Sequence, residues 1–333
     1  MPKIWENTEI IDENGKKFEA IAPLIISASR ATDIPAFYSK WFFDRLFKGY
    51  TKWINPFNKK NVQYISFEKV RIIVFWSKNP KPIIPYLKIL DEKGINYYFQ
   101  YTLNDYEDEK FEIGLPSLKE RIKTFQALSK LIGKEKVIWR FDPLILTDSL
   151  NVENLLIKVS KIAQDLLLYT NKLVFSFVDI AIYKKVINNM IEKAPQIFNK
   201  DNILKSEFSY EQKIQFAKGI QNLQKDWKKI NPNFTIATCA EDIDLKEYGI
   251  FHNKCIDDLL MVKLFNNNEY LMDFLGYELP EKLPYISKKE LKDKGQRKNC
   301  NCIVSKDIGA YNTCLYKCIY CYANSKKNIK NNI

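Results

Sequence analysis

Short apolar runs alternate with amphipathic stretches along most of this chain, and that alternation restricts what it can fold into. Strands are expected at Leu24–Ala28, Arg71–Phe75, Tyr97–Tyr101, Val137–Phe141, Leu173–Phe177 and Phe234–Ala237, with a last one at Ile308–Tyr311. Between them, Ala36–Lys48, Pro82–Lys93, Ser117–Ile132, Val152–Thr170, Ile182–Lys193 and Tyr210–Lys229 carry helical periodicity. A strand followed by a helix of about ten to twenty residues is the βα unit of a parallel sheet. Strands this apolar suit a sheet covered by helices on one face and filled on the other. No repeat beyond the βα unit and no low-complexity linker divides the 333 residues. The expected fold is therefore α/β: one domain over residues 1–333, built as a partial, TIM-like βα barrel, a size such barrels reach as single units.

The residues that follow each strand are polar. Ser29, Arg30, Thr32 and Asp33 follow the first, and Trp76, Ser77, Lys78 and Asn79 the second. Gln100 to Asn104 end the third, Arg140 and Asp142 the fourth, Ser176 and Asp179 the fifth, and Cys239 and Glu241 the sixth. In a βα barrel this end is the active-site face. Caps and turns explain Ser29, Thr32 and Asn79 equally well. They explain Arg30, Arg140 and Glu241 poorly. Arg30 and Arg140 can pair a carboxylate or phosphate in bidentate fashion, or form a salt bridge inside the mouth. Trp76 and Tyr101 can stack on a ring, or belong to the core.

The seven cysteines are unevenly spread, with five between Cys300 and Cys321. Cys314, Cys318 and Cys321 follow a C-x3-C-x2-C spacing, with Tyr320 just before the last thiol. Thiolates at this spacing can wrap an iron–sulfur cube and leave one iron without a protein ligand. Four cysteines remain, Cys239, Cys255, Cys300 and Cys302, a complete set for a second iron–sulfur cluster or for zinc. Cys239 and Cys255 taken alone also read as buried apolar thiols. An odd thiol count and the absence of a signal-peptide core argue against a secreted disulfide framework, and a cytoplasmic location is expected. No apolar run reaches the ~18 residues that span a bilayer. His252 is the only histidine. It leaves little for a polyhistidine metal centre or a Ser-His-Asp triad. The formal charge of +12 points to an anionic partner, such as nucleic acid or a nucleotide, or to a solvated Lys-rich surface.

The C-x3-C-x2-C motif with its aromatic resembles the radical S-adenosylmethionine (SAM) superfamily. The resemblance implies a [4Fe–4S] cluster on Cys314, Cys318 and Cys321 that binds SAM and cleaves it to a 5′-deoxyadenosyl radical. It also implies an external electron donor such as flavodoxin or ferredoxin. Over nearly its whole length, from the Ser27–Pro35 run to Tyr322-Ala323-Asn324, the chain is most similar to an uncharacterised domain-of-unknown-function family with this cluster at its C-terminal end. In that family the Cys239-Ala240-Glu241, Cys255-Ile256-Asp257 and Cys300-Asn301-Cys302 segments read as motifs, so residues 239–321 would carry both cysteine sets. The superfamily motif usually follows the first strand; here only twelve residues follow Cys321. The implied fold is a circularly permuted barrel, with the cluster-bearing strand last and paired beside Leu24–Ala28. Residues Ile250–Phe274 and Ser287–Asn299 would make the return connection. SAM binding would draw on Tyr320 beside the cluster and on Asp142, Asp179 or Glu241 at the ribose, with Arg30, Arg140, Asp142 and Glu241 as catalytic candidates. The rival reading is a zinc-stabilised nucleic-acid-binding barrel without radical chemistry. A hydrolytic barrel with merely structural cysteines is a third.

Overall fold

The computed structural model describes residues 4–56, 58–277 and 289–324. The chain opens with two strands, β1 (Glu6–Ile11) and β2 (Lys17–Ala22), before the first expected one, β3 (Ile25–Ala28). Helices α1 (Ile34–Phe37) and α2 (Ser39–Lys48) follow, then a hairpin of β4 (Tyr50–Ile54) and β5 (Val62–Ser66). The repeating part runs β6 (Ile72–Ser77), α3 (Leu87–Glu92), β7 (Asn96–Thr102), α4 (Leu118–Ile132), β8 (Val137–Leu144), α5 (Val152–Leu166) and β9 (Lys172–Phe177). Helices α6 (Lys184–Lys193) and α7 (Tyr210–Ile230) lead to β10 (Thr235–Thr238) and β11 (Ile250–His252). Then come α8 (Asp258–Phe265), α9 (Glu269–Leu275) and the two-residue β12 (Lys306–Asp307).

Eight strands form one sheet in the order β11-β10-β9-β8-β7-β6-β3-β12. Each of its pairings is parallel, as the βα alternation requires. The last strand does lie beside the first, Lys306 opposite Ile26 and Asp307 opposite Ser27. It ends just before the expected Ile308–Tyr311, because that run turns away into the cysteine loop. The order runs from β11 at one edge to β12 at the other, and no pairing between these edges is present among the described residues. A second, four-stranded sheet, β1-β2-β5-β4, was not anticipated.

Alternation along the strands divides the core in two. Ile73, Phe75, Phe99, Trp139, Phe141 and Phe175 face the amphipathic helices and pack with Phe125, Leu155 and Ile220. Ile72, Val74, Tyr98, Ile138 and Val174 face the other way, against Met261, Val262 and Phe265 of α8, Leu271 and Met272 of α9, and Cys300 and Cys302. The late part of the chain thus fills the second face of the sheet. Helices begin where side chains cap them: Ser117, Asn151 and Ser209 each close a reciprocal capping box. The helix expected over Ala36–Lys48 is two helices, broken at Tyr38, whose hydroxyl donates instead to the Thr313 carbonyl at 2.7 Å. The stretch from Ile250, expected as part of the return connection, begins as β11, paired in parallel with β10. Of the expected return connection, residues 287 and 288 lie outside the described residues. No helix among the described residues is long and apolar enough to cross a membrane.

Candidate functional site

The polar residues at the strand ends form a connected network. Asp307, at the end of β12, accepts from Ser27 Oγ (2.9 Å), Ser29 Oγ (2.7 Å), the Arg30 amide (2.9 Å) and the Gly309 amide (2.9 Å). It thereby stitches the turn after β12 to the turn after β3. Gly309 is needed at this contact, since a Cβ there would stand 2.0 Å from Ser29 Oγ. Asp33 accepts from Ser77 Oγ (2.8 Å) and from the Lys78 (2.7 Å) and Ala36 (3.0 Å) amides. Burial still pushes its carboxyl up to about 6.

The loop 310–324 carries Cys314, Cys318 and Cys321, and its anchors come from four directions. Tyr320 donates to Glu112 and accepts from Lys78 Nζ at 2.9 Å and Asn104 Nδ2 at 3.2 Å. The buried Glu112 also takes Lys78 Nζ at 2.7 Å and has the Arg121 guanidinium at 3.6 Å. Asn189 on α6 donates to the carbonyls of Cys321 and Asn324, both at 2.9 Å. Asn324 donates to the Cys314 carbonyl at 2.6 Å, and the Gly114 amide to the Tyr316 carbonyl at 3.2 Å. Burial pushes the Cys314 thiol up to about 12, with Asp33 and Cys321 adding negative charge and the amides of Tyr316 and Asp33 working against it. Burial likewise raises Cys318; Lys78 opposes that rise, and Glu112, Cys314 and Cys321 add to it. The three thiols are thus within electrostatic reach of one another.

The other four cysteines also come together. Cys239 follows β10 and Cys255 follows β11, and their sulfurs are 3.6 Å apart. Cys302 accepts the amides of Cys255 (3.2 Å) and Ile256 (3.4 Å), and Cys300 neighbours Cys302. Among the described residues, no three His, Cys, Asp or Glu side chains are already disposed as a metal-ion site.

A family model described as a domain of unknown function, DUF1848, matches residues 25–323. The chain belongs to the DUF1848 family. The DUF1848 match starts at the first residue of β3 and ends two residues past Cys321, so it contains both cysteine groups and omits β1 and β2. No curated protein matches the chain. A solved structure described as a candidate alpha-L-fucosidase from Bacteroides thetaiotaomicron VPI-5482 is 10% identical, covering 62% of this chain and 84% of its own, with a TM-score of 0.24. That score is too low to bear on fold or function.

Within the DUF1848 region, Arg140 is fully engaged. Its guanidinium donates to Asp142, to Gln100 Oε1 at 3.2 Å and to Cys255 Sγ at 3.0 Å. Asp142 is shared with Ser176 and, through its amide, with Asn104 Oδ1 at 2.9 Å. Asn104 therefore links the Tyr320 anchor to the Arg140 pair. Arg30 is different. Its guanidinium lies 5.3 Å from the Trp76 ring, as does that of Arg140, and Arg30 Nη2 is buried without a hydrogen-bond partner. Glu241 accepts the Phe177 amide at 3.0 Å and stands 3.7 Å from Lys213 Nζ; burial raises its carboxyl to about 8. Asp179 pairs with Arg297. Tyr101 offers no ring to a ligand, being buried under the helices and bonded to the Arg121 carbonyl. The sequence pattern missed Glu112, Asn189 and the role of Asp307. Glu112 and Asn189 lie away from strand ends, and Asp307 read as a simple turn residue. A cleft of about 400 Å³ lies between Asp12, Trp41, Arg45 and Tyr64, and no cysteine lines it.

Proposed function

We propose that this chain is a radical SAM enzyme built on a partial βα barrel, permuted so that the strand bearing the cluster loop comes last. The observation that carries the reading is one anchored loop, directly after β12, with three thiols in electrostatic reach of one another. The donor set fits a cluster held at three corners: soft ligands, backbone amides toward Cys314, and the Lys78 ammonium near Cys318. Cys314, Cys318 and Cys321 would hold a [4Fe–4S] cluster, which would supply the reductive cleavage of SAM.

The chain's own residues then have separable tasks. Tyr320, Glu112 and Lys78 fix the loop, and Asn104 ties it to Asp142 and Arg140. Arg140 is a positioning residue, since its donors are already committed. Arg30 keeps an unused donor for an anionic substrate group, and the Trp76 ring beneath it gives a base or another flat ring a surface. Glu241 is mostly protonated at neutral pH and can donate to a hydroxyl at the rim, near Asp179 and Arg297. The charge of +12 favours an anionic substrate such as a nucleotide or nucleic acid. The electron comes from a one-electron donor of the flavodoxin or ferredoxin kind.

The test is anaerobic reconstitution with iron and sulfide, followed by reduction in the presence of SAM. Formation of 5′-deoxyadenosine, lost in Cys318→Ala, is the expected result. The absence of any iron that depends on Cys314, Cys318 and Cys321, or reduction without 5′-deoxyadenosine, overturns the reading.

A further inference from the structure

Cys239, Cys255, Cys302 and Cys300 come from three separate segments and lie as successive neighbours, just past the C-terminal ends of β10 and β11 and on the segment returning toward β12. The spacing of the first pair discriminates between metal centres. Four thiolates around one ion at a Zn–S length of about 2.3 Å stand about 3.8 Å apart. On a four-iron cube each thiolate sits outside its own iron, so ligand sulfurs are about 6 Å apart or more, whereas the paired thiolates on one iron of a two-iron cluster stand as close as around zinc. Cys239 and Cys255 are 3.6 Å apart. Both follow paired strands whose backbone is fixed on each side, Cys239 N to the Phe175 carbonyl at 2.9 Å and Asn253 N to the Thr238 carbonyl at 2.8 Å.

Hydrogen-bond donors point at two of the four sulfurs. Cys255 Sγ receives Arg140 Nη1 at 3.0 Å and Asn253 Nδ2 at 3.3 Å, and Cys302 Sγ receives two backbone amides. Arg30 has no carboxylate within ion-pair distance among the described residues, and Cys302, Asp307 and Cys255 all lie near it. A buried cation without a counter-charge is costly. Four thiolates and one divalent ion carry a net charge of −2, and Arg30 sets a positive charge beside it, while Arg140 is shared with Asp142.

We infer that Cys239, Cys255, Cys300 and Cys302 hold one tetrahedral metal ion of the zinc class, and not a second four-iron cluster. Three donors do not yet converge on one point. The ion therefore draws Cys302 and Cys300 inward from the return segment. That segment is otherwise held by the Ile303 amide on the Ile256 carbonyl (3.1 Å) and the Lys292–Ile303 bridge. With four protein ligands the site is closed and structural. It clamps the approach to β12 onto the edge formed by β10 and β11, and so sets the position of the Cys314 loop. The inference stands independently of the radical reading.

The test uses the full chain carrying C314A, C318A and C321A together, purified and then offered zinc or iron with sulfide under anaerobic conditions. One tightly held zinc per chain and no sulfide-containing chromophore is the expected outcome. A brown protein with two or four irons and matching sulfide per chain, and no competition from zinc, overturns the inference. Wild-type protein titrated with Co²⁺ provides a second readout that does not depend on a variant folding. The expected result is the intense visible band of a tetrahedral tetrathiolate site, abolished by stoichiometric Zn²⁺; octahedral Co²⁺ spectra overturn it. Zinc bound without 5′-deoxyadenosine formation in the wild type defeats the radical reading alone, and iron in place of zinc defeats this one alone.

Discussion

Asp307 accepts a hydrogen bond from Ser29 Oγ at 2.7 Å, joining residues 278 positions apart in the chain. The same carboxylate takes Ser27 and the amides of Arg30 and Gly309. A two-residue strand has too little ladder to hold itself, so Asp307 is the main tether of β12. Asp307→Ala strands four donors at once, and unmade bonds to a charged acceptor cost about 1.5–3 kcal/mol each when buried. These groups are only partly buried, so a total loss of about 2–4 kcal/mol in urea denaturation is expected. Asp307→Asn keeps an acceptor and loses less. Equal stabilities for the two variants would contradict the tether.

Gly309 faces Ser29 so closely that an added Cβ meets Ser29 Oγ at 2.0 Å and Ser29 Cβ at 2.5 Å. Neither atom is the end of a flexible chain. Gly309→Ala must therefore push β12 from β3, and it is expected to destabilise by about 1–3 kcal/mol, the range for overpacking. Gly15→Ala is the control, since nothing lies within 4 Å of its added Cβ and only its positive φ is at stake. A wild-type melting temperature for Gly309→Ala rules the close contact out.

Among the described residues, Glu112 is the sole carboxylate within ion-pair distance of both Lys78 and Arg121. Burial alone would raise its pKa, but these two cations outweigh burial and hold it below the usual value. A carboxyl depressed on folding stabilises fully above its unfolded pKa, and that contribution disappears as pH falls through the folded value. Glu112→Gln removes the counter-charge of a buried cluster, with an expected loss of about 3–5 kcal/mol at pH 7. The difference from wild type should shrink steadily in denaturation series taken from pH 7 toward pH 3. A constant difference would show that the charge of Glu112 is not what matters.

The strands beneath the network were legible because each is a dense run of Ile, Val, Phe and Tyr with a helix behind it. Ser117-x-x-Glu120 and Ser209-x-x-Gln212 marked helix starts to within a residue. The small sheet was missed, although Tyr50–Ile54 and Val62–Ser66 flank an Asn-Pro…Asn-Lys-Lys-Asn turn and alternate as a hairpin should. Half-exposed strands such as Glu6–Ile11 leave too few apolar residues to stand out. At the site, spacing alone grouped Cys314, Cys318 and Cys321, and counting alone set the other four apart. Glu112 and Asn189 were invisible because they act across more than a hundred residues, which no local pattern encodes.

Lys306 joins the two sheets. Its ammonium lies 3.7 Å from the centre of the Trp53 ring on β4 and donates to Gln63 Oε1 on β5 at 2.6 Å, while its backbone belongs to β12. Burial lowers its pKa to about 8, with Asp307 offsetting only part of the effect. Between that value and the ordinary lysine value of about 10.5, the folded chain binds fewer protons than the unfolded chain. Stability must then rise with pH across this window, and below it the unfavourable charge is fully present. Lys306→Met removes a buried ammonium but keeps its apolar stem against Trp53, so this variant should lack the rise. Parallel denaturation of both proteins from pH 7 to 10.5 measures the difference. If the two curves run parallel throughout, the ammonium is solvated and the link between the sheets rests on the Trp53 contact with the stem alone.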